Sequence, residues 1–101
     1  RVLFRSLGIA AKSGNVVSGE FSTEKAVKTG HAYLVIVSAE ASGNTKKSFC
    51  NMTDFYHVPC YCYGSKEALG RCIGKEFRAS LAVTDENLAK AVEKKLKEHT
   101  V

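Results

Sequence analysis

Two stretches of this chain set cationic side chains beside backbone that a ligand can approach closely. In Ser18-Gly19-Glu20-Phe21-Ser22-Thr23-Glu24-Lys25, a glycine stands directly before a helix-forming run. Glycine admits turns closed to other residues, and the first N–H groups of a helix have no partner within it, so such a junction presents donors to an anion. Lys25 falls about one turn inside that helix, within reach of a phosphate at its start, and Lys28 adds a further cation. In Gly70-Arg71-Cys72-Ile73-Gly74-Lys75-Glu76-Phe77-Arg78, two glycines bracket a helix end, and a loop then carries Lys75, Phe77 and Arg78. Cations with an aromatic ring among them suit phosphates and an unstacked base. The bland alternative is that Gly19 only makes a turn and that Lys25 is solvated.

Little else in the sequence could perform catalysis. His31, His57 and His99 are scattered, without the serine or carboxylate pattern of a triad, and are expected at the surface. Gly64, Gly70 and Gly74 do not make G-x-G-x-x-G, and no phosphate-binding loop of the G-x-x-x-x-G-K-[ST] kind occurs. Tyr61 and Tyr63 alternate with Cys60 and Cys62 along a strand-like run, where core packing is preferred over base stacking as their use. Cys50, Cys60, Cys62 and Cys72 lack the C-x2-C or C-x4-C pairing of structural zinc sites. They are expected as buried free thiols, with no metal and no cofactor. A zinc or thiol protein built on Cys60 and Cys62 is the competing reading.

The elements that position these stretches follow from periodicity. Leu3, Leu7, Ala10 and Ala11 recur at helical spacing until Ser13-Gly14-Asn15, and Val16-Val17 is a brief strand. A second helix is predicted over 20–29, with acidic residues early, lysines late and Gly30 as its stop. The unbroken apolar run over 33–37 reads as a strand covered on both faces, at the centre of the sheet. A third helix is predicted over 42–56, with Phe49, Met52 and Tyr56 on its core stripe. Pro59 opens a strand over 60–63, and Ser65 caps a fourth helix running to Gly74. A strand over 81–83 precedes a last helix, capped by Thr84 or Asp85, with Leu88, Val92 and Leu96 inward and Lys90, Lys94, Lys95 and Lys97 outward. Helices alternating with four short strands predict an α/β class, a three-layer α/β/α sandwich around a four-stranded mixed sheet.

Composition agrees with one compact domain over residues 1–101: 45% of positions are hydrophobic, 25% are charged, and there is one proline. Disorder and a membrane span are both excluded on these figures. Fifteen Lys and Arg against ten Asp and Glu leave a formal charge of +5. Four of those five excess charges fall in residues 1–50, so an anion-binding face is expected to lean on the first half. No signal-like apolar stretch stands at the start, where Arg5 and Lys12 interrupt it, and a cytoplasmic monomer is expected.

The chain also resembles a known family over about residues 3–96. The cues are Leu7-Gly8-Ile9-Ala10, Val17-x-Gly19-Glu20, Lys25-Ala26-Val27-x-x-Gly30-x-Ala32-x-Leu34-Val35-Ile36 and Asn44-Thr45-Lys46-Lys47. Further on come Tyr56-x-Val58-Pro59, Gly64-Ser65-Lys66-Glu67-x-Leu69-Gly70-Arg71-x-Ile73-Gly74-Lys75 and Ala82-Val83-Thr84-Asp85-Glu86. Together they resemble the kink-turn-binding ribosomal proteins named after the archaeal large-subunit protein L-seven-Ae, and among them the small bacterial YlxQ-like branch. The resemblance implies a non-catalytic RNA-binding protein with structured RNA, ribosomal RNA and the ribosome as candidate partners. It implies that Gly19, Glu20, Phe21, Ser22 and Lys25 meet sheared G·A pairs, and that Gly74, Lys75, Glu76, Phe77 and Arg78 meet a flipped bulge nucleotide. One departure stands out: the best-known members carry Asn-Glu where this chain has Phe21-Ser22. Each hydrogen bond so removed is worth about 1–3 kcal/mol if unreplaced, and Glu20 is positioned to substitute in part. The alternative reading keeps the fold as a protein-interaction or regulatory domain that has abandoned RNA.

Overall fold

The computed structural model describes residues 2–100, with side chains over 4–98. The predicted roles of Leu3 and His99 lie outside the described side chains. The chain runs α1 (Val2–Lys12), β1 (Val16–Ser18), α2 (Glu20–Lys28), β2 (Leu34–Val37), α3 (Gly43–Phe55), β3 (Cys60–Cys62), α4 (Lys66–Cys72), β4 (Ser80–Val83) and α5 (Glu86–Thr100). The sheet order is β1-β4-β2-β3. β4 runs antiparallel to both β1 and β2, and β3 lies parallel to β2, so the sheet is mixed as predicted.

Strand alternation sends side chains to two cores. Leu34, Ile36, Leu81 and Val83 join Leu7 of α1, Leu69 of α4, and Val92 and Leu96 of α5 on one face. Val35, Val37 and Ala82 join Ala26 and Val27 of α2 and Phe49 of α3 on the other. All residues of β2 and β4 are buried, because the two central strands are covered on both faces. Capping follows the side chains available: Ser42 Oγ accepts from the Thr45 N–H, Ser65 Oγ from the Ala68 N–H, and Asp85 Oδ2 from the Leu88 N–H. Asp85, not Thr84, is thus the side-chain cap of α5.

Three expectations need correction. Tyr33 precedes β2 and is 43% exposed, although its N–H still donates to Val83 O. Tyr56 does not share the inward stripe of Phe49 and Met52: α3 stops at Phe55, His57 turns the chain with a φ of 61°, and Tyr56 is left exposed at the helix end. The cysteines are free but not uniformly buried, since Cys50 and Cys62 are exposed and Cys60 and Cys72 are half-buried. Two apart on a strand tells which residues share a face, not whether the strand lies at an edge, and β3 is an edge strand.

Candidate nucleic-acid interface

Sheet register brings the two cationic stretches together. Ser18, the last residue of β1, pairs with Leu81 of β4, and the Gly19 N–H donates to Ser80 O at 3.0 Å. The end of β1 therefore abuts the start of β4, and with it the loop that leads out of α4. Gly19 has φ 91° and ψ 160°, a conformation that L side chains rarely adopt, and this lets strand pass to helix without an intervening loop. No side chain caps α2 at Gly19, so the N–H groups of Glu20, Phe21 and Ser22 are presented at the helix's positive end.

The second stretch is held by backbone geometry. Lys75 N–H donates to Gly70 O at 2.8 Å, Gly74 N–H to Arg71 O at 3.1 Å, and Arg78 N–H to Lys66 O at 3.1 Å, which folds the loop back over α4. A Cβ on Gly70 would lie 2.1 Å from Glu76 O, so only glycine admits this approach. Arg78 then braces the two stretches: Nε donates to Ser18 Oγ at 2.9 Å and Nη1 to Phe77 O at 2.8 Å. The loop projects Lys75, Glu76 and Phe77 into solvent, with Phe77 63% exposed, and Phe21 at the start of α2 is 77% exposed. Two solvent-facing aromatic rings, Phe21 and Phe77, thus belong to the two stretches that Arg78 joins.

Beside this junction, Lys25, Phe21 and Ser22 share a shallow groove of about 360 Å³ with Val17, His31 and Thr84. Thr29 Oγ1 lies 2.8 Å from His31 Nδ1 and donates to Lys25 O at 2.7 Å, fixing the far wall. Sequence alone does not assign Val17, His31 and Thr84 to this groove, because their meeting depends on β1–β4 pairing, including the Thr84 N–H bond to Asn15 O at 2.8 Å. Lys28 and Glu20 are placed elsewhere. With Glu24 they form the 20/24/28 stripe that faces Ser48, Phe49 and Met52 of α3. Lys28 Nζ bonds Glu24 Oε2 at 2.6 Å, and that hydrogen bond and charge raise the lysine's pKa. The structure thus joins the Ser18-Gly19 junction to the 74–78 loop through Arg78, lines one groove with Phe21, Ser22 and Lys25, and sets Lys28 one stripe aside.

The last helix is electrostatically different. Lys90 and Lys95 lie within 4 Å of Glu86 and Glu98, at 3.7 and 3.8 Å, so part of its charge is locally matched. Tyr61 and Tyr63 pack against the α1–α5 core, with Tyr61 OH donating to Glu93 Oε2 at 2.9 Å, which favours their packing role. Among the described residues, no group of three or more His, Cys, Asp or Glu side chains is placed to hold a metal ion. No described helix is long and apolar enough to cross a membrane.

Known proteins share this chain's sequence pattern and fold. The chain is 41% identical over 86 residues to the RNA-binding protein YlxQ of Bacillus subtilis (strain 168), covering 85% of this chain and 86% of that one. It is 34% identical over 84 residues to the large ribosomal subunit protein eL30 of Sulfolobus acidocaldarius, covering 81% of each. Among solved structures, a Bacillus halodurans protein described as of unknown function superposes with a TM-score of 0.91 at 32% identity, covering 94% of this chain and 96% of that one. The Giardia lamblia 15.5kD RNA binding protein shares the fold, with a TM-score of 0.80 at 22% identity over 95% of this chain and 85% of that one. The profile described as the ribosomal protein L7Ae/L30e/S12e/Gadd45 family matches residues 2–94, and the chain belongs to that family.

Proposed function

We propose that this chain is a non-catalytic RNA-binding protein of ribosomal type that recognises a kink-turn-like bend. The observation that carries the reading is the convergence of the uncapped α2 N-terminus with the cationic 74–78 loop, braced by Arg78 on Ser18. Relatives named as an RNA-binding protein and as large-subunit ribosomal proteins support it. The backbone N–H groups of Glu20, Phe21 and Ser22 meet base edges and phosphates at the bend, and Lys25 and Lys75 neutralise phosphates crowded there. Phe77 offers a face to an extruded base. Recognition is of shape, and no bond is made or broken. With Lys25, Lys75 and Arg78 at the face, log affinity falls against log salt with a slope of about 2 to 3. The protein acts as a cytoplasmic monomer, and ribosomal RNA within the ribosome is the class of target that its eL30 relatives suggest.

A gel-shift titration with a kink-turn RNA, and with the same RNA whose G·A pairs are replaced by Watson–Crick pairs, tests this reading. Tighter binding to the first is expected. Equal affinity for both removes the kink-turn preference, and binding to neither removes RNA as the ligand. A second reading, a protein-interaction domain, draws on Phe21 standing 77% exposed where an RNA-contacting Asn is usual in the family. Nuclease treatment before co-purification separates the two, since only a protein partner survives it.

A further inference from the structure

Three of the four thiols meet on the other side of the sheet from α5. Cys60 and Cys62 are two apart on β3 and share the face on which Val35, Val37 and Phe49 pack. On α3, which packs against β3, Lys46, Cys50 and Thr53 follow at helical spacing of four and three and share one stripe. Cys50 neighbours both Cys60 and Cys62, Thr53 neighbours Cys60, and Lys46 lies near Cys62. Cys50 and Cys62 are exposed, while Cys60 is half-buried. Among the described residues, these thiols do not form a metal-binding group.

We infer that Cys50 and Cys62 form a reactive dithiol that closes to a disulfide when the protein meets a small aliphatic disulfide such as glutathione disulfide, tying α3 to the edge of the sheet. Two exposed thiols that neighbour each other on two packed elements, with a cation beside one of them, supply what thiol–disulfide exchange requires. The Cys62 thiolate attacks one sulfur of the small disulfide, forming a mixed disulfide and expelling one small thiolate. The Cys50 thiolate then attacks the Cys62 sulfur, forming the Cys50–Cys62 bond and expelling the second. Two electrons pass from the protein dithiol to the small disulfide, and the two protons lost from the cysteines end on the two released thiols. Burial pushes the Cys60 thiol up to about 12, which holds it as an unreactive thiol. Burial, then Cys50, also raises Cys62, and the Lys46 ammonium offsets only part of that rise. Cys62 pairs with Val37 and Val37 with Ser80, so the bond forms at the same end of the sheet as the cationic junction.

The test treats the intact protein with glutathione disulfide, blocks remaining thiols with iodoacetamide, and maps the peptides by mass spectrometry. Expected is a chain lighter by two hydrogens with Cys50 linked to Cys62, and with Cys60 and Cys72 alkylated only after unfolding. Cys60→Ser should close equally well, whereas Cys50→Ser should stop at a glutathione adduct on Cys62. Persistent glutathione adducts on the unaltered chain, a bond involving Cys60 or Cys72, or a bond between two chains each overturn the inference.

Discussion

Replacing Gly70 by alanine should damage the proposed interface without touching any residue that meets a ligand. The new Cβ would lie 2.1 Å from Glu76 O, 2.6 Å from Glu76 C and 3.0 Å from Phe77 N. All three are backbone atoms, so no side chain can swing away. Restoring ordinary contact of about 3.5 Å requires the loop to retreat by about 1.4 Å. Overpacking of this kind costs about 1–3 kcal/mol, and the Lys75 N–H bond to Gly70 O is worth about 1 kcal/mol more. Alanine returns about 1 kcal/mol in helix propensity. The net loss is about 2 kcal/mol, which for a domain of this size lowers Tm by about 8–16 °C. Thermal denaturation followed by circular dichroism reads the stability, and RNA titration at temperatures where the variant is folded reads the loop. Affinity should fall at least about tenfold as Lys75 and Phe77 move off their target. Gly43→Ala is the control, because a Cβ there meets nothing within 4 Å. A Gly70→Ala protein with unchanged Tm and unchanged RNA affinity refutes the reasoning.

Other outcomes follow from the same geometry. Lys25→Ala should weaken RNA binding and reduce the salt slope by about 1, Lys28→Ala should do much less because Glu24 already holds its charge on the α3 side, and Lys95→Ala should change neither; titrations at several salt concentrations check all three. Phe77→Ala should leave thermal stability unchanged, the ring being 63% exposed, while costing about 1–3 kcal/mol of RNA affinity if it stacks on an extruded base. The raised Cys60 pKa favours the folded state below the unfolded value of 9.0, and this stabilisation is lost as pH rises toward about 12. Denaturant titrations across that range should therefore show a steeper alkaline loss for the unaltered protein than for Cys60→Ala.

The kinds of element were legible because apolar spacing changes period between strand and helix, as the buried run Leu34–Val37 and the Leu88, Val92, Leu96 stripe show. The two cationic stretches were legible for a local reason, a glycine beside a helix end in each. Their convergence was not, because it rests on pairing between β1 and β4, which are more than 60 residues apart. Proximity in sequence groups Lys28 with Lys25, although the 20/24/28 spacing carries the signal for a separate stripe. The exposure of Cys62 required the sheet order, which places β3 at an edge. The need for glycine at 70 was hidden too, since it follows from a loop folding back onto its own helix. Local chemistry is written in residue types, whereas the assembly of a face depends on long-range register.

The most direct test of the proposed face is a titration of the isotope-labelled protein with a kink-turn RNA, followed through backbone amide resonances. The largest shifts should fall on Gly19, Glu20, Phe21, Ser22, Lys25 and residues 74–78, with α5 from Lys90 to Lys97 unperturbed. Shifts centred on α5, with the Gly19 junction and the 74–78 loop silent, would contradict it.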